Sequence, residues 1–521
     1  MKKLLFYFVF VIFFAQNLGA QDVTIPDANF KNALLKYPKI NTNADGEIQV
    51  SEALAYSDSI DVNSKGIKDL TGIEAFSNIK KLFCDVNQLK VMDISKNIKL
   101  KYLNCSNSQL LSIDVSKNIE LVYLSCSHNQ FKSIDISKNV TLIYLDCSFN
   151  SINAMDFSKN IALTYLSCYH NQLKLVDVST NIGLVYFDCD NNQIKLIDVS
   201  KNVALTYWDC SYNQFTTIDI SKNIALAELD CYSNLIKSID IGKNTMLKRF
   251  HCYFNQLKSL DVSKNTALSD LNCHDNQLTT INFSKNSALI RLDCCRNKFM
   301  SIDISGNIAL TYLFCNFNQL TSLDISKNTQ LILLDCFNNQ INTLDISKNL
   351  TLTSLAISYN LINSLDVSKN TALTELYCNN NQLLNLNLRN GANGNLKILY
   401  ATNNPSLNCI QVDDPSKIGF NWKKDDQAKY SADCTVATED ADVVQSLMLY
   451  PNPASNTLQL HWEDGVASVH VDFFNGVGAL TKSQEVQNQG SINIEDLPRG
   501  LYLCRISDAD HKTQIVKVVL E

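Results

Sequence analysis

A cysteine returns every 21 residues, at Cys84, Cys105, Cys126, Cys147, Cys168 and onward, and the residues around it return with it. A period this short and regular constrains the fold more than composition does. Each unit must be one supersecondary step that buries its apolar side only by stacking on its neighbours. From Ile79 to about Asn393, fifteen units of 21 residues run without a register break on the pattern L-x-x-L-x-C-x-x-N-Q-L-x-x-L-D-I-S-K-N-x-x. A degenerate unit precedes them at 60–77, and another follows at 396–407 after the insertion NGANG.

Alternation around L-x-C predicts a short strand in each unit, and these strands stack into one parallel sheet. The Asn at the ninth position (Asn129, Asn150, Asn171) is expected to turn inward, where its amide satisfies backbone groups of adjacent coils; Ser108 breaks that ladder once. So short a unit leaves little room for a helix. The LDIS half is therefore expected to be extended, or short 3-10 structure, on the convex side. The first eleven positions fit the leucine-rich-repeat signature, with Cys in the third apolar place. The whole pattern resembles the cysteine-ladder repeats of internalins, which implies a β-dominated leucine-rich-repeat solenoid over 60–408 used as an adhesin-like scaffold.

The chain opens with MKKLLFYFVFVIFFAQNLGAQ, a Lys2/Lys3 start, an apolar run and a small residue at Ala20. Residues 1–20 read as a secretory signal peptide, and no later stretch is apolar enough to span a bilayer, so no transmembrane anchor is expected in the mature chain. Eighteen cysteines in an exported protein first suggest disulfides. Side chains on in-register parallel strands point the same way, however, whereas bridged Cβ atoms approach to ~3.8 Å. The fourteen ladder cysteines are expected to be buried free thiols acting as small hydrophobes, and Ile357 fills the same place in one unit. One cysteine per coil does not supply the convergent tetrahedral set a metal would need. Cys295, beside Cys294, is expected to point outward, as a drifted polar position or a reactive thiol. Cys409 and Cys434 bracket a C-terminal cap (409–434) and are a plausible disulfide.

Residues 21–59 are expected to cap the first coil. Within them NTNADGEIQVSE fits a calcium-loop template: Asn41, Asn43, Asp45, Gly46 for the turn, Glu47 by its carbonyl, and Glu52 in the bidentate place. Helical stretches flank it at 29–36 and 51–56. Asn41 lacks the usual carboxylate and Pro38 interrupts the first helix, so both a bound Ca2+ and a metal-free cap stay open; internalin caps resemble EF-hands that are mainly structural.

An acidic linker (435–444) leads to strands without repeats. YPNPASNTLQL, FFNGVGAL and LPRGLYLCRI stand there in order, ending in IVKVVLE. Pro and Gly turns between alternating runs indicate a β domain over 445–521. The motifs resemble the type A C-terminal sorting domain of Bacteroidetes type IX secretion, departing at Glu521, where a basic ending is common. The resemblance implies a small antiparallel sandwich recognised by the type IX secretion machinery, and a protein secreted to the outer-membrane cell surface or released.

Outward strand positions are free to vary, so bias there is informative. Tyr102, Tyr123, Tyr144, Tyr165, Tyr186 and Tyr207 fall in six successive coils, and Asp188, Asp209 and Asp230 recur two places on. Two readings stand side by side: cross-strand stacking that stabilises the sheet, or a ligand platform of rigid aromatic area beside carboxylates. A net charge of -7 without basic clusters argues against nucleic acid. The chain carries no nucleophile elbow, zinc motif or Gly-rich phosphate loop, so no enzyme is expected. The sequence points to a secreted, surface-displayed binding or adhesion module for an extracellular protein or glycan. The alternative is an accessory or degradative component acting on extracellular polysaccharide.

Overall fold

A computed structural model describes residues 21–434, 448–462, 467–475, 479–507 and 513–521. The expected signal peptide and the 435–444 linker lie outside these residues. The chain divides into two compact units, Met1–Ala432 and Asp433–Glu521.

Among its described residues, the first unit opens with two short helices. Helix α1 (Ala28–Leu34) starts where Asp27 accepts hydrogen bonds from the backbone of Asn29 and Phe30, an N-cap, and it buries Phe30, Ala33 and Leu34 on one side. The other Asp27 oxygen accepts from Lys68 N at 2.8 Å, tying the cap to the first coil. Helix α2 (Val50–Ala55) is opened by a capping box between Gln49 and Glu52.

Strands of three residues, four in Ile398–Ala401, then follow once per coil, from Ser59–Asp61 to Trp422–Lys424, in an 18-stranded sheet. Pairing is parallel and in register, as in Tyr123↔Tyr144, Leu124↔Leu145 and Ser125↔Asp146. In the regular coils the middle residue of the strand faces the core and the outer two face away. On the opposite side, regular coils run extended and then turn. The 3-10 segments described are Ile73–Ala75 and Asn393–Asn395, outside the regular units. Near the C-terminal end this side also forms a four-stranded parallel sheet, Ser364–Asp366, Asn385–Asn387, Cys409–Gln411 and Lys429–Ser431.

One continuous core runs from Val23 to Ala428. The ladder cysteines are buried in it as free thiols. Some make weak S–H contacts to the next coil, as from Cys147 Sγ to Ser167 O at 3.5 Å. Burial pushes the thiols of Cys105 and Cys378 up to about 12, so these two are poor nucleophiles. Cys295 departs from expectation. It is 7% exposed, and burial together with the Asp293 charge holds its thiol well up, so it is no accessible reactive cysteine. Cys409 and Cys434 are both disulfide-bonded.

The ninth-position asparagines do face inward. Asn171 Nδ2 donates to Cys147 O and Cys168 O, both at 3.1 Å, while its Oδ1 accepts from Ile152 N at 3.0 Å. At the break, the Ser108 hydroxyl is buried without a partner. A second ladder, from the Asn of S-K-N, was not anticipated. Asn97, Asn118, Asn139 and their successors to Asn370 are fully buried. Asn139 Nδ2 donates to Val115 O at 3.0 Å and Asn118 O at 2.9 Å, two carbonyls of the preceding coil.

The second unit pairs two antiparallel sheets. One holds Met448–Tyr450, Thr457–His461 and Ser491–Asn493; the other holds Ser468–Phe474, Leu480–Gln487, Gly500–Ser507 and Thr513–Leu520. Their shared core includes Leu458, Trp462, Val471, Phe473 and Tyr502.

Two outcomes follow from this packing. Thiol reagents should titrate sixteen cysteines in denatured protein and almost none in native protein. Asn181→Ala should strand two buried carbonyls and lower unfolding stability by about 1–3 kcal/mol in a denaturant titration.

Candidate functional site

The outward strand residues stack because their strands do. Successive ring centroids from Tyr102 to Tyr207 lie 6.0, 4.3, 4.2, 4.3 and 4.3 Å apart, and the planes close from 29° to 2°. From Tyr123 onward this spacing is shorter than the ~4.8 Å between strands, as expected on the inner side of a curved sheet. Ring faces inside the stack are therefore covered by one another. At its ends, Lys81 Nζ lies 5.0 Å from the Tyr102 centroid and Arg249 Cζ lies 5.7 Å from that of Tyr207. What the column offers outward is ring edges and hydroxyls. Burial, then neighbouring rings or carboxylates, hold the phenols of Tyr144, Tyr186 and Tyr207 well above their usual range.

Asp188, Asp209 and Asp230 stand in register beside this stack. They point away from the core, as expected, yet each is buried. Tyr186 and Tyr207 adjoin them in the strands, and a second aromatic stack runs nearby, with Tyr232 and Tyr253 at 4.2 Å and Tyr253 and His274 at 4.4 Å. Burial, then the Asp209 charge, pushes Asp188 up to about 8. Asp190, which sequence reasoning overlooked, is raised to about 7 by the same two causes. Burial raises Asp209 to about 6 against hydrogen bonds from Ser211.

Basic groups enter on the far side. Arg249 reaches Glu228 at 2.7 Å and Asp230 at 3.1 Å. His251 lies 3.1 Å from Asp230 through Nδ1 and 3.4 Å from Asp270 through Nε2. Burial works against the charged imidazole, but these carboxylates outweigh it and hold His251 up at about 9. The central coils thus carry a graded set: Asp188 largely protonated at neutral pH, Asp209 largely ionised, and Asp230 paired. Such a surface can accept hydrogen bonds from ammonium, guanidinium or hydroxyl groups and can donate from Asp188 and the tyrosines.

The 41–52 loop comes together differently from its template. Glu52 Oε1 accepts from Thr42 N and Oγ1 at 2.7 and 2.6 Å, and its Oε2 accepts from Gln49 N at 3.0 Å. Glu47 pairs with Lys31 at 2.5 Å, and Asp45 accepts from Glu47 N, Asn43 and Gln49. Asn43 and Asp45 lie together, but Asn41 contributes no hydrogen-bonding oxygen to this network, its Oδ1 being buried without a partner. Among the described residues no group of three or more acidic, His or Cys side chains converges to hold a metal. As arranged, the side-chain oxygens of Asn43, Asp45 and Glu52 are used to close the loop on itself.

Stacked coils with a cysteine ladder, a helical cap and an antiparallel C-terminal unit define the class. The chain is a leucine-rich-repeat solenoid protein that carries a secretion sorting domain. Residues 448–521 match the secretion system C-terminal sorting domain family. The functional domain of the internalin InlJ from Listeria monocytogenes, which includes a cysteine ladder, is similar at 25% identity and a TM-score of 0.63, covering 96% of this chain and 98% of that one. The Listeria internalin InlF shares the fold at 20% identity and a TM-score of 0.54, covering 61% of this chain and 96% of that one. Among curated proteins, ulvan lyase NLR42 from Nonlabens ulvanivorans is 26% identical over 99 residues, 18% of each chain. The chain therefore spans less than a fifth of that relative's length. The sorting domain marks the chain as a secretion substrate, and no described helix is long and apolar enough to cross a membrane.

The buried acids give stability a pH dependence. A folded pKa above the unfolded one stabilises fully below the unfolded value and loses that contribution as pH rises through the folded value. For Asp188, Asp190 and Asp209 that window runs from about 4 to about 8, and for His251 from about 6.5 to about 9. The exposed aspartates Asp114, Asp135 and Asp156 are shifted the other way by Ser backbone hydrogen bonds and lose stability as pH falls below about 4. The melting temperature should therefore peak near pH 5 and fall steadily towards pH 9, and Asp188→Asn should flatten the upper limb.

Proposed function

We propose that the solenoid is a binding module for an extracellular partner, displayed at the cell surface after signal-peptide removal and sorting, and that the partner is a protein presenting Lys or Arg side chains. The observation that carries this reading is the largely ionised Asp209, set between Asp188 and the paired Asp230 beside the tyrosine stack in the same coils. Carboxylates beside aromatic edges suit cationic side chains. A sugar ring stacks best on an open aromatic face, and here those faces are occupied by neighbouring tyrosines. Glycan binding would rest instead on the hydroxyl and carboxylate row, and it remains an outcome of the experiment.

The local similarity to an ulvan lyase favours a second reading, an accessory or degradative component for extracellular polysaccharide. The acidic column lies on a sheet face, and its ~5 Å spacing follows from strand register alone. Incubation with a panel of polysaccharides separates the two: appearance of reducing or unsaturated ends would sink the non-catalytic reading.

Binding itself is tested on immobilised extracellular proteins and glycans. Replacing Tyr144, Tyr165 and Tyr186 with Ser, or Asp209 with Asn, should weaken retention at least about tenfold, since a few central contacts usually carry most interface energy. The coil should survive with modest losses of about 0.2–1 kcal/mol per stacked pair. Unchanged binding with a large drop in melting temperature would assign the stack to structure alone.

A further inference from the structure

The turn that leads into each strand carries a feature independent of the tyrosine face. In seven successive coils the residue after the buried S-K-N asparagine is β-branched and apolar: Ile98, Ile119, Val140, Ile161, Ile182, Val203 and Ile224. These side chains are 49–63% exposed, although each follows a fully buried asparagine. Ile143 and Val185, just before their strands, add to the same exposed apolar surface. Beside the column, between Val140 and Ala227, stand Ala162, Gly183, Ala204 and Ala225 and threonines, with no charge at these positions. Charge returns at the ends, with Lys99, Lys101 and Glu120 on one side and Lys248 on the other. In the next coils the column itself turns polar, as Thr245, Thr266 and Ser287.

We propose that this flank is the surface through which two copies of the chain pair, side by side and antiparallel about a two-fold axis. Three physical points select a second copy as the occupant. The exposed aliphatic side chains present on the order of 700 Å2, more than monomers usually leave open, and close to the ~800 Å2 per partner of a standard interface. The ridge repeats at the strand spacing of ~4.8 Å, so a partner that interdigitates with it along its length must repeat at the same spacing, and another copy does. An isologous contact places the same patch on both sides, and from Val140 to Ile224 the ridge and the positions that follow it hold no charge, while the exposed Lys138, Lys159, Lys201 and Lys222 stand two residues before it, at its rim. The pair would carry two tyrosine faces at once, so a repetitive ligand would be held with avidity.

Sedimentation velocity on the full chain at micromolar concentration reads the outcome. Wild-type protein should be dimeric, and the double variant Ile161→Lys/Ile182→Lys should be monomeric, weakened roughly 100-fold or more by the buried charges. Both side chains are exposed, so the circular dichroism melt of the variant should match wild type. Ile308→Lys lies on the same column between Ser287 and Thr329, outside the uncharged flank, and should remain dimeric. A wild-type chain that stays monomeric overturns the proposal. So does a double variant that dimerises as before, or an Ile308→Lys chain that loses the dimer equally. None of these readouts depends on ligand, so failure here is distinguishable from failure of the binding reading.

Discussion

The side-chain amide of asparagine is what allows coils this short to close. A coil of 21 residues must turn sharply, and each turn directs backbone carbonyls into a core that has no water to satisfy them. Two amides per coil answer this, one in the turn after the strand and one in the turn before the next. Asn150 Nδ2 reaches Cys126 O and Cys147 O, and Asn160 Nδ2 reaches Ile136 O and Asn139 O. Because each amide bonds a carbonyl of the coil before it, closure of one coil and its attachment to the next are a single event. The corner just before the ninth-position Asn is held in left-handed conformation in coil after coil, even where the residue is Phe149 or Tyr212. Such a corner costs about 1–3 kcal/mol for a bulky side chain and persists only where its surroundings determine it. Here the backbone N–H of Phe149 is bonded to Tyr169 O at 3.0 Å, and the following Asn is fixed on both sides.

The same stacking sets the electrostatics of the exposed surfaces. In an in-register sheet, any outward residue repeated between units becomes a column of like groups one strand apart. Tyrosines tolerate this by lying face to face. Aspartates do not tolerate it when also buried: Asp188 keeps its proton to about pH 8, and Asp209 loses its own only near pH 6. Arg249 and His251, arriving in the coil after Asp230, end the column and neutralise that carboxylate. On the opposite side the Asp column is exposed, and its carboxylates take the backbone N–H two residues on, as Asp135 does from Ser137 at 2.9 Å and Asp240 from Gly242 at 2.8 Å. One repeat thus places its acids in two environments that titrate in opposite directions.

Much of this is legible in the sequence, because each interior position has one role repeated many times. Leu, Cys and the ninth Asn declare themselves by spacing alone, and the type IX sorting domain by its ordered motifs. Three features were hidden for physical reasons. The second amide ladder sits in S-K-N, which reads as an exposed turn because its neighbours Ser and Lys are polar. The left-handed corners carry His, Phe or Tyr where glycine would have announced them. Alternation told which side Asp209 and Cys295 take, not how far their neighbours bury them. In the 41–52 loop the spacing matched a calcium template, but the pairing of Glu52 with Thr42 and Gln49 depends on where α2 begins.

The direction of the hydrogen bonds between coils has a mechanical consequence. They run along the axis of the solenoid, so tension applied through its two ends pulls on them one coil at a time and not on all together. Each coil that gives way frees 21 residues, about 70 Å of extended chain, while the remaining coils keep their contacts because none depends on more than its immediate neighbours. A chain of this build, held at one end and loaded at the other, would lengthen in regular steps and dissipate a sudden pull.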